Sequence, residues 1–364
     1  MIDCHVHLNN IGGEEELEHT RKYVGLDRMN IVCGISRENI NANPQAFLAK
    51  IKFPQNFYIF PSLDHANYFS GGKLSTPSLA EQVDRLVAIG ADGIKMLENK
   101  PTHRKLVDKP VDGEYFQDYF ARVEEIGIPI LWHVADPEEF WDPALTPKWA
   151  KSRGWGYDKT FVSKEQLYTE VENILHRNPR LKIIFAHFYF LSANLPRLSS
   201  LFDRFEGVHV DLAPGIELLY NLSKDPETTR NFFIRYSDRI LFGTDISNHQ
   251  TPEENRIRAG IVIRWLETED VYRVPEGADF LLGPPEDGII RGLKLPENVL
   301  QKIYNLNFER LAGPKPRPLD CDFAAEECER LAYEISILND IPANETIASR
   351  TAEILKKMAK EARG

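Results

Sequence analysis

The chain has 364 residues, of which 42% are hydrophobic, and a formal net charge of −11. This length is natural for one α/β barrel with additions, and the acidic charge argues against nucleic-acid binding, which needs basic surface to displace counterions from phosphate. No run approaches the roughly 18 apolar residues of a membrane span, and the first residues lack the basic and apolar regions of a signal peptide. We therefore expect a cytoplasmic protein with neither a nucleic-acid nor a membrane partner.

Short runs rich in β-branched and aromatic residues predict eight β-strands. In chain order the predicted strands are 2–8, 30–35, 57–63, 93–96, 128–134, 181–187, 208–212 and 240–246. Segments with helical periodicity lie between most of them, and alternation of strands with helices predicts a parallel sheet.

Several helix starts are also readable. Thr76-Pro77, Asp225-Pro226 and Thr251-Pro252 each pair an N-cap residue with proline and predict helices over 79–89, 228–236 and 257–266. Ser163 and Gln166 have the spacing of a capping box, which predicts a further helix start after the fifth strand.

The first strand carries His5 and His7, which share one face because side chains in a strand alternate between its two faces. His133, His187 and Asp245 each end another predicted strand. In a closed barrel all strands deliver their C-terminal ends to one rim, whereas an open doubly wound sheet would spread these strands apart. No Gly-x-Gly-x-x-Gly turn follows the first strand, so the usual dinucleotide site is excluded. The sequence therefore predicts a (β/α)8 TIM barrel over residues 1–319.

Two segments stand outside this pattern. Residues 136–162 form a long connection that includes Trp141, Trp155 and Tyr157, and we interpret it as a lid or pocket wall, with a purely structural flap as the alternative. Residues 320–364 form a charged C-terminal helical extension with a sparse apolar stripe. The extension is expected to pack on the barrel or on a partner subunit, which leaves a homo-oligomer open.

The candidate ligands could bind one divalent ion or share two. Imidazole and carboxylate ligands suit zinc, with manganese as the alternative, and a catalytic site keeps one position for water. The full candidate set is His5, His7, His133, His187 and Asp245.

This ordered set resembles the amidohydrolase superfamily, and specifically its amidohydrolase-related branch of metal-dependent TIM-barrel hydrolases and decarboxylases. The matching motifs run from residue 1 to about residue 312. They are Asp3-Cys-His-Val-His7, the strand-five His133, Ala186-His187, Gly243-Thr-Asp245 and the closing segment 303–312.

The resemblance implies a role for each of these residues. His5, His7, His133 and Asp245 would surround one ion, and His187 would lie beside the bound water to orient it or to polarise the reacting carbonyl. Asp245 would take the proton of the attacking water and pass it to the leaving group.

Lys95 ends the fourth predicted strand. Binuclear members of the superfamily use a carboxylated lysine from that strand to bridge two ions, in which case His133 and His187 would bind the second ion. We favour one ion, with Lys95 pairing with a carboxylate such as Glu98 or holding an anionic substrate.

The leading functional hypothesis is a metal-dependent hydrolase that acts on a small-molecule amide, ester or lactone through a metal-activated water. The main alternative is a metal-dependent, non-oxidative decarboxylase of an aromatic or muconate-type acid, because the same branch contains both chemistries. A metal-bound scaffold without activity is a third hypothesis, disfavoured because all the proposed catalytic positions are filled.

Overall fold

The computed structural model describes residues 1–276 and 288–361. Within these ranges, eight short parallel strands follow one another around a barrel. They are β1 (Ile2–His7), β2 (Arg28–Val32), β3 (Phe57–Phe60), β4 (Ile94–Asn99), β5 (Ile130–Val134), β6 (Ile183–Phe185), β7 (Val208–Asp211) and β8 (Ile240–Leu241). Each coincides with one of the predicted strands, and their inward residues are almost all buried.

Hydrogen bonds close the barrel at the two places where the strand pairing is weakest. Between β3 and β4, Ser62 bridges to Lys95, and the Lys95 amide donates to the Pro61 carbonyl at 2.9 Å. Between β8 and β1, the Cys4 amide donates to the Phe242 carbonyl at 3.0 Å, and a short strand, Ile246–Ser247, pairs parallel with β1. The predicted TIM barrel is thereby confirmed.

A helix follows each strand on the outside of the barrel. These are α1 (Gly13–Val24), α2 (Asn43–Lys52), α3 (Leu79–Ile89), α4 (Glu114–Ile126), α5 (Lys164–Arg177), α6 (Leu195–Arg204), α7 (Pro226–Arg235) and α8 (Pro252–Glu267). Shorter helices are Ala66–Phe69, Pro101–Val107, Glu138–Trp141, Lys148–Ser152, Ala186–Phe190, Leu218–Leu222, Ser237–Arg239, Glu297–Gln301, Lys302–Leu306, Asn307–Ala312 and Ala343–Glu345. Other short strands are Ile35–Ser36, Ile40–Asn41, Val271–Tyr272 and Ile290–Arg291.

Helix starts follow the sequence signals with one correction. Thr251 caps α8 in a reciprocal capping box with Glu254, as its spacing with Pro252 suggests. Helix α3, however, is capped by Ser78, not Thr76, because Ser78 forms the reciprocal box with Glu81. Thr76, the predicted N-cap, lies two residues before the observed N-cap Ser78.

The C-terminal extension forms two helices, α9 (Cys321–Asn339) and α10 (Ile347–Glu361), and residues 362–364 of the predicted extension lie outside the described ranges. Its buried face packs against loops that follow β2 and β3, with Leu331 and Ile335 in one apolar cluster with Ile40 and Leu74. No helix in the described ranges has the length and apolar character needed to cross a membrane.

Candidate active site

Three of the predicted ligands come together at the C-terminal rim of the barrel. His5 and His7 leave β1 on one face, and Asp245 follows β8, so the pairing of these strands brings them side by side. The distance from Asp245 Oδ1 to Nε2 is 3.1 Å for His7 and 3.8 Å for His5. The ligand atoms of these three residues all lie within 4.8 Å of one another. This spacing suits a single ion held by two imidazoles and a carboxylate.

Asp211, at the end of β7, orients His5. Its Oδ2 lies 2.8 Å from His5 Nδ1, and both side chains are almost fully buried. A carboxylate accepts the Nδ1–H, so the Nε2 lone pair of His5 points toward His7 and Asp245. A carboxylate behind a ligating histidine is the usual support of a metal-bound imidazole. The donor set therefore fits a divalent ion.

Asp3 joins the first and last strands beneath the site. One of its oxygens accepts the amides of His5 and Thr244 at 3.1 and 3.2 Å, and the other accepts the Thr244 hydroxyl. Burial raises the pKa of Asp3 to about 7. The adjoining Asp245 has a left-handed backbone with φ of 57°, and the Asp3 bonds to its neighbour Thr244 help to hold that conformation.

Electrostatics keep Asp245 ionised. Burial opposes its charge, but the hydrogen bond from His7 and the nearby imidazoles hold its pKa well below the usual range. Asp245 is therefore ionised and can serve as an anionic ligand.

His187 follows β6 at the start of an unusual turn. His187, Phe188, Tyr189 and Phe190 all have φ between 49° and 57°, a run of left-handed residues without glycine. Each such residue costs roughly 1–2 kcal/mol, so the surrounding structure must hold the turn. The His187 amide donates to Asp211 Oδ1 at 2.8 Å, and Nδ1 donates to the Ala213 carbonyl at 3.0 Å.

The same contacts define the protonation state of His187. Since a carbonyl can only accept, the proton lies on Nδ1 and Nε2 is a free acceptor. Burial lowers the pKa of His187 to about 4, so the ring is neutral at pH 7. Its centroid lies 5.2 Å from that of His5.

His133 lies beside this group but is engaged elsewhere. Its ring centroid is 4.8 Å from that of His187. Its Nε2, however, lies 3.0 Å from Asp136 Oδ1 and 3.5 Å from Lys100 Nζ. His133, the implied fourth ligand, thus lies next to the three-residue cluster. Its Nε2, however, faces the ion pair of Lys100 and Asp136.

Lys95 is fully buried, with its Nζ 3.3 Å from His5 Nε2. Burial lowers its pKa to about 8. The suggested pairing with Glu98 is wrong, because residues three apart on a strand point to opposite faces. Glu98 instead accepts a hydrogen bond from His65 Nε2 at 2.8 Å.

A cavity of about 200 Å³ opens over these residues. Its polar lining comprises His5, His7, Lys95, Lys100, His103, His133, Asp136, His187 and Asp245. Its apolar lining comprises Leu97, Pro137, Phe140, Trp155, Phe190, Pro214, Gly215 and Ile216. The cavity thus combines apolar walls with polar groups around the candidate ligands, as small-molecule sites do.

The long loop after β5 contributes to this cavity unevenly. Trp155 lines it, and Lys100 Nζ lies 4.5 Å from a Trp155 ring centroid. Tyr157 lies behind the wall, where its hydroxyl donates to Asp136. Trp141 packs on Tyr157 with ring centroids 4.7 Å apart and does not belong to the lining.

The sequence analysis missed two carboxylates that support the site. Asp136 follows β5 at the same rim as the candidate ligands, so its position at a strand end could have identified it. Asp3 belongs to the first motif, yet only the tertiary contact with Thr244 shows its role.

Comparison with known proteins places the chain in a family. A model of the amidohydrolase family matches residues 2–312. No curated protein sequence matches the chain significantly.

Several solved structures share the fold, including the two that follow. A probable 2-pyrone-4,6-dicarboxylic acid hydrolase from Acinetobacter baumannii superposes with a TM-score of 0.52 at 12% identity, covering 86% of this chain and 98% of that one. The 5-carboxyvanillate decarboxylase of Sphingomonas paucimobilis gives 0.52 at 14% identity, with the same coverage of 86% and 98%. At such identities the likeness establishes the TIM-barrel architecture alone. Because the family model spans the whole barrel, including every candidate ligand, the chain belongs to the amidohydrolase family.

Proposed function

We propose that the protein is a metal-dependent hydrolase that cleaves an amide, ester or lactone bond in a small molecule. The observation that carries this proposal is the cluster of His5, His7 and Asp245, backed by Asp211 and adjoined by a neutral His187. It combines a place for an ion, a carboxylate able to accept a proton and an imidazole able to accept a hydrogen bond.

His5, His7 and Asp245 would hold one divalent ion, with zinc expected and manganese as the alternative, and His133 would join them by turning away from Asp136. When bound, such an ion lowers the pKa of a coordinated water toward about 7 and polarises a carbonyl oxygen. One ion is favoured over two, because the described residues bring one close group of three ligand atoms together, from His5, His7 and Asp245.

His187 orients the attacking water. Its Nε2 is an acceptor, because Nδ1 is committed to the Ala213 carbonyl, so it can hold a water proton but cannot donate to a carbonyl oxygen. Asp245 accepts the proton that the water loses and returns it to the leaving group.

The test begins with metal content and then identifies the reaction. Purified protein, stripped by a chelator and reloaded with zinc or manganese, is assayed on cyclic lactones, esters, amides and aromatic carboxylic acids. In ¹⁸O-labelled water a hydrolase places one ¹⁸O in the product carboxylate. Release of carbon dioxide with solvent deuterium on carbon would replace the proposal with decarboxylation, and full activity without metal would overturn both.

Two substitutions separate the roles. Asp245→Asn is expected to lower turnover by roughly two or more orders of magnitude with the fold intact. His187→Asn is expected to lower turnover while leaving most of the metal bound. Metal loss in His187→Asn equal to that in His5→Ala would show instead that His187 is a ligand.

A further inference from the structure

The left-handed turn after β6 needs an external support. L-residues adopt this conformation singly, and a run of four without glycine does not persist on its own. Its start is held by the His187 amide bond to Asp211, described above. Its end has a separate support, which comes from the outside of the barrel.

That support is Tyr168 on α5. Its hydroxyl donates to the Tyr189 carbonyl at 2.9 Å, and the two ring centroids lie 4.7 Å apart. The Tyr189 ring in turn stacks on Phe185 of β6, with centroids 4.0 Å apart and planes at 21°. On the outer side, the Arg197 guanidinium carbon lies 4.6 Å from the centroid of the Tyr168 ring. A continuous column therefore runs from the surface to β6, the strand that precedes His187.

We propose that Tyr168 is a positioning residue for His187, holding the left-handed turn so that the imidazole faces His5. The importance of this position for turnover rests on the proposed function; the positioning itself does not. The hydroxyl bond is the only tie between Tyr168 and the turn backbone among the hydrogen bonds of the described residues.

Tyr168 does not reach the cavity of the candidate active site. It is only 2% exposed, and it does not line the cavity. Burial raises its pKa well above the usual range, so the hydroxyl stays protonated and remains a donor. Any effect of removing this hydroxyl on turnover must therefore pass through the turn.

The test uses Tyr168→Phe, which removes the hydrogen bond and keeps the ring. Tyr119 provides the matched control, because it is 0% exposed and its hydroxyl has no hydrogen-bond partner among residues 1–276 and 288–361. In metal-free protein with labelled histidines, the ring signals of His187, assigned by their loss in His187→Asn, should shift or broaden in Tyr168→Phe. They should stay in place in Tyr119→Phe.

Kinetics of the metal-loaded protein give the second readout. Tyr168→Phe should lower kcat by about tenfold or more with little change in KM, since small misplacements of a reacting group have effects of this size. In the His187→Asn background the same change should have less than about a twofold further effect, because the two residues act through one path.

Unchanged His187 signals in Tyr168→Phe would overturn the positioning role, as would equal kcat losses in the wild-type and His187→Asn backgrounds. If the wild type shows no metal-dependent turnover, the proposed function fails while the His187 signals still decide the positioning. Those two failures are therefore distinguishable.

Discussion

Asp211 connects the two histidines on which the proposed chemistry depends. One of its oxygens accepts from His5 Nδ1 and the other from the amides of His187 and Ala213, at 2.8, 2.8 and 3.1 Å. A single side chain thus sets the tautomer of a candidate ligand and anchors the turn that carries its neighbour.

Asp211→Asn should separate these two effects. The amide oxygen can still accept both backbone amides, but its NH2 would face His5 Nδ1, which forces the His5 proton onto Nε2. We expect the affinity for metal to fall by roughly 10- to 100-fold, measured by competition with a chromophoric chelator. Asp92→Asn, at a buried carboxylate paired with Lys50, is the control and should leave metal affinity unchanged. Equal losses in both variants would contradict this account.

Glu217 is a buried acid beside the cavity wall. It is 9% exposed, and its carboxylate oxygens have no hydrogen-bond partner on another residue in the described ranges. Burial raises its pKa from 4.5 to about 7; Lys164 opposes this shift, whereas Glu139 and Asp136 add to it.

This shift predicts a pH dependence of stability. Between pH 4.5 and about 7 the native state keeps a proton on Glu217 that the unfolded chain releases. The free energy of unfolding therefore falls as pH rises through this window, by up to about 3 kcal/mol from this group. Glu217→Gln, which stays neutral, should gain stability relative to the wild type between pH 5 and pH 8 in urea unfolding. A constant difference between the two proteins would refute it.

At the scale of elements, the loop over 136–162 has its own small core. Phe140, Ala150 and Tyr157 form a buried cluster against which Trp149, Trp155 and Ile216 pack. We propose that this loop is a preformed wall of the pocket, because its aromatic residues pack on one another and on the loop after β7.

Trp155→Ala tests this wall. The change removes the aromatic surface beside Lys100, so we expect KM for ring-containing substrates to rise about tenfold, with a smaller effect on kcat. Trp149→Ala removes an indole from the same cluster that does not line the cavity, and it should leave KM unchanged. Equal KM values for Trp155→Ala and the wild type would show that the loop is only structural.

At the scale of the whole molecule, Arg330 ties the C-terminal helices to the barrel. Its guanidinium contacts Asp64, Glu334 and Glu327, with Nη1 2.6 Å from Asp64 Oδ2 and 2.7 Å from Glu334 Oε1. Asp64 follows β3, so this ion cluster joins α9 to the rim of the barrel.

Arg330→Met should destabilise the fold by roughly 2–4 kcal/mol, because it leaves the buried Asp64 and Glu334 without their cation, whereas Glu327 keeps its ion pair with Arg85. Lys356→Met removes an exposed ion pair with Glu329 on the same two helices and should change stability by no more than about 1 kcal/mol. Both values come from denaturant unfolding at pH 7. Similar losses in the two variants would mean that the cluster contributes no more than a surface pair.

Local sequence signals were sufficient for the barrel, and they also predict the candidate ligands. Strand alternation placed His5 and His7 on one face, and β-branched runs ending in His133, His187 and Asp245 predicted one rim. These features can be predicted because the periodicity of a strand and the position of its end are local properties of the sequence.

Only the tertiary structure decided how these residues are oriented. His5 and Asp211 are 206 residues apart, and their hydrogen bond sets the tautomer of the first ligand. His133 turns toward Asp136, and Tyr168 holds the turn of His187 from another helix. Tautomers, rotamers and strained backbone depend on contacts between residues that are far apart in the sequence. The pattern of neighbouring residues along the chain therefore does not predict them.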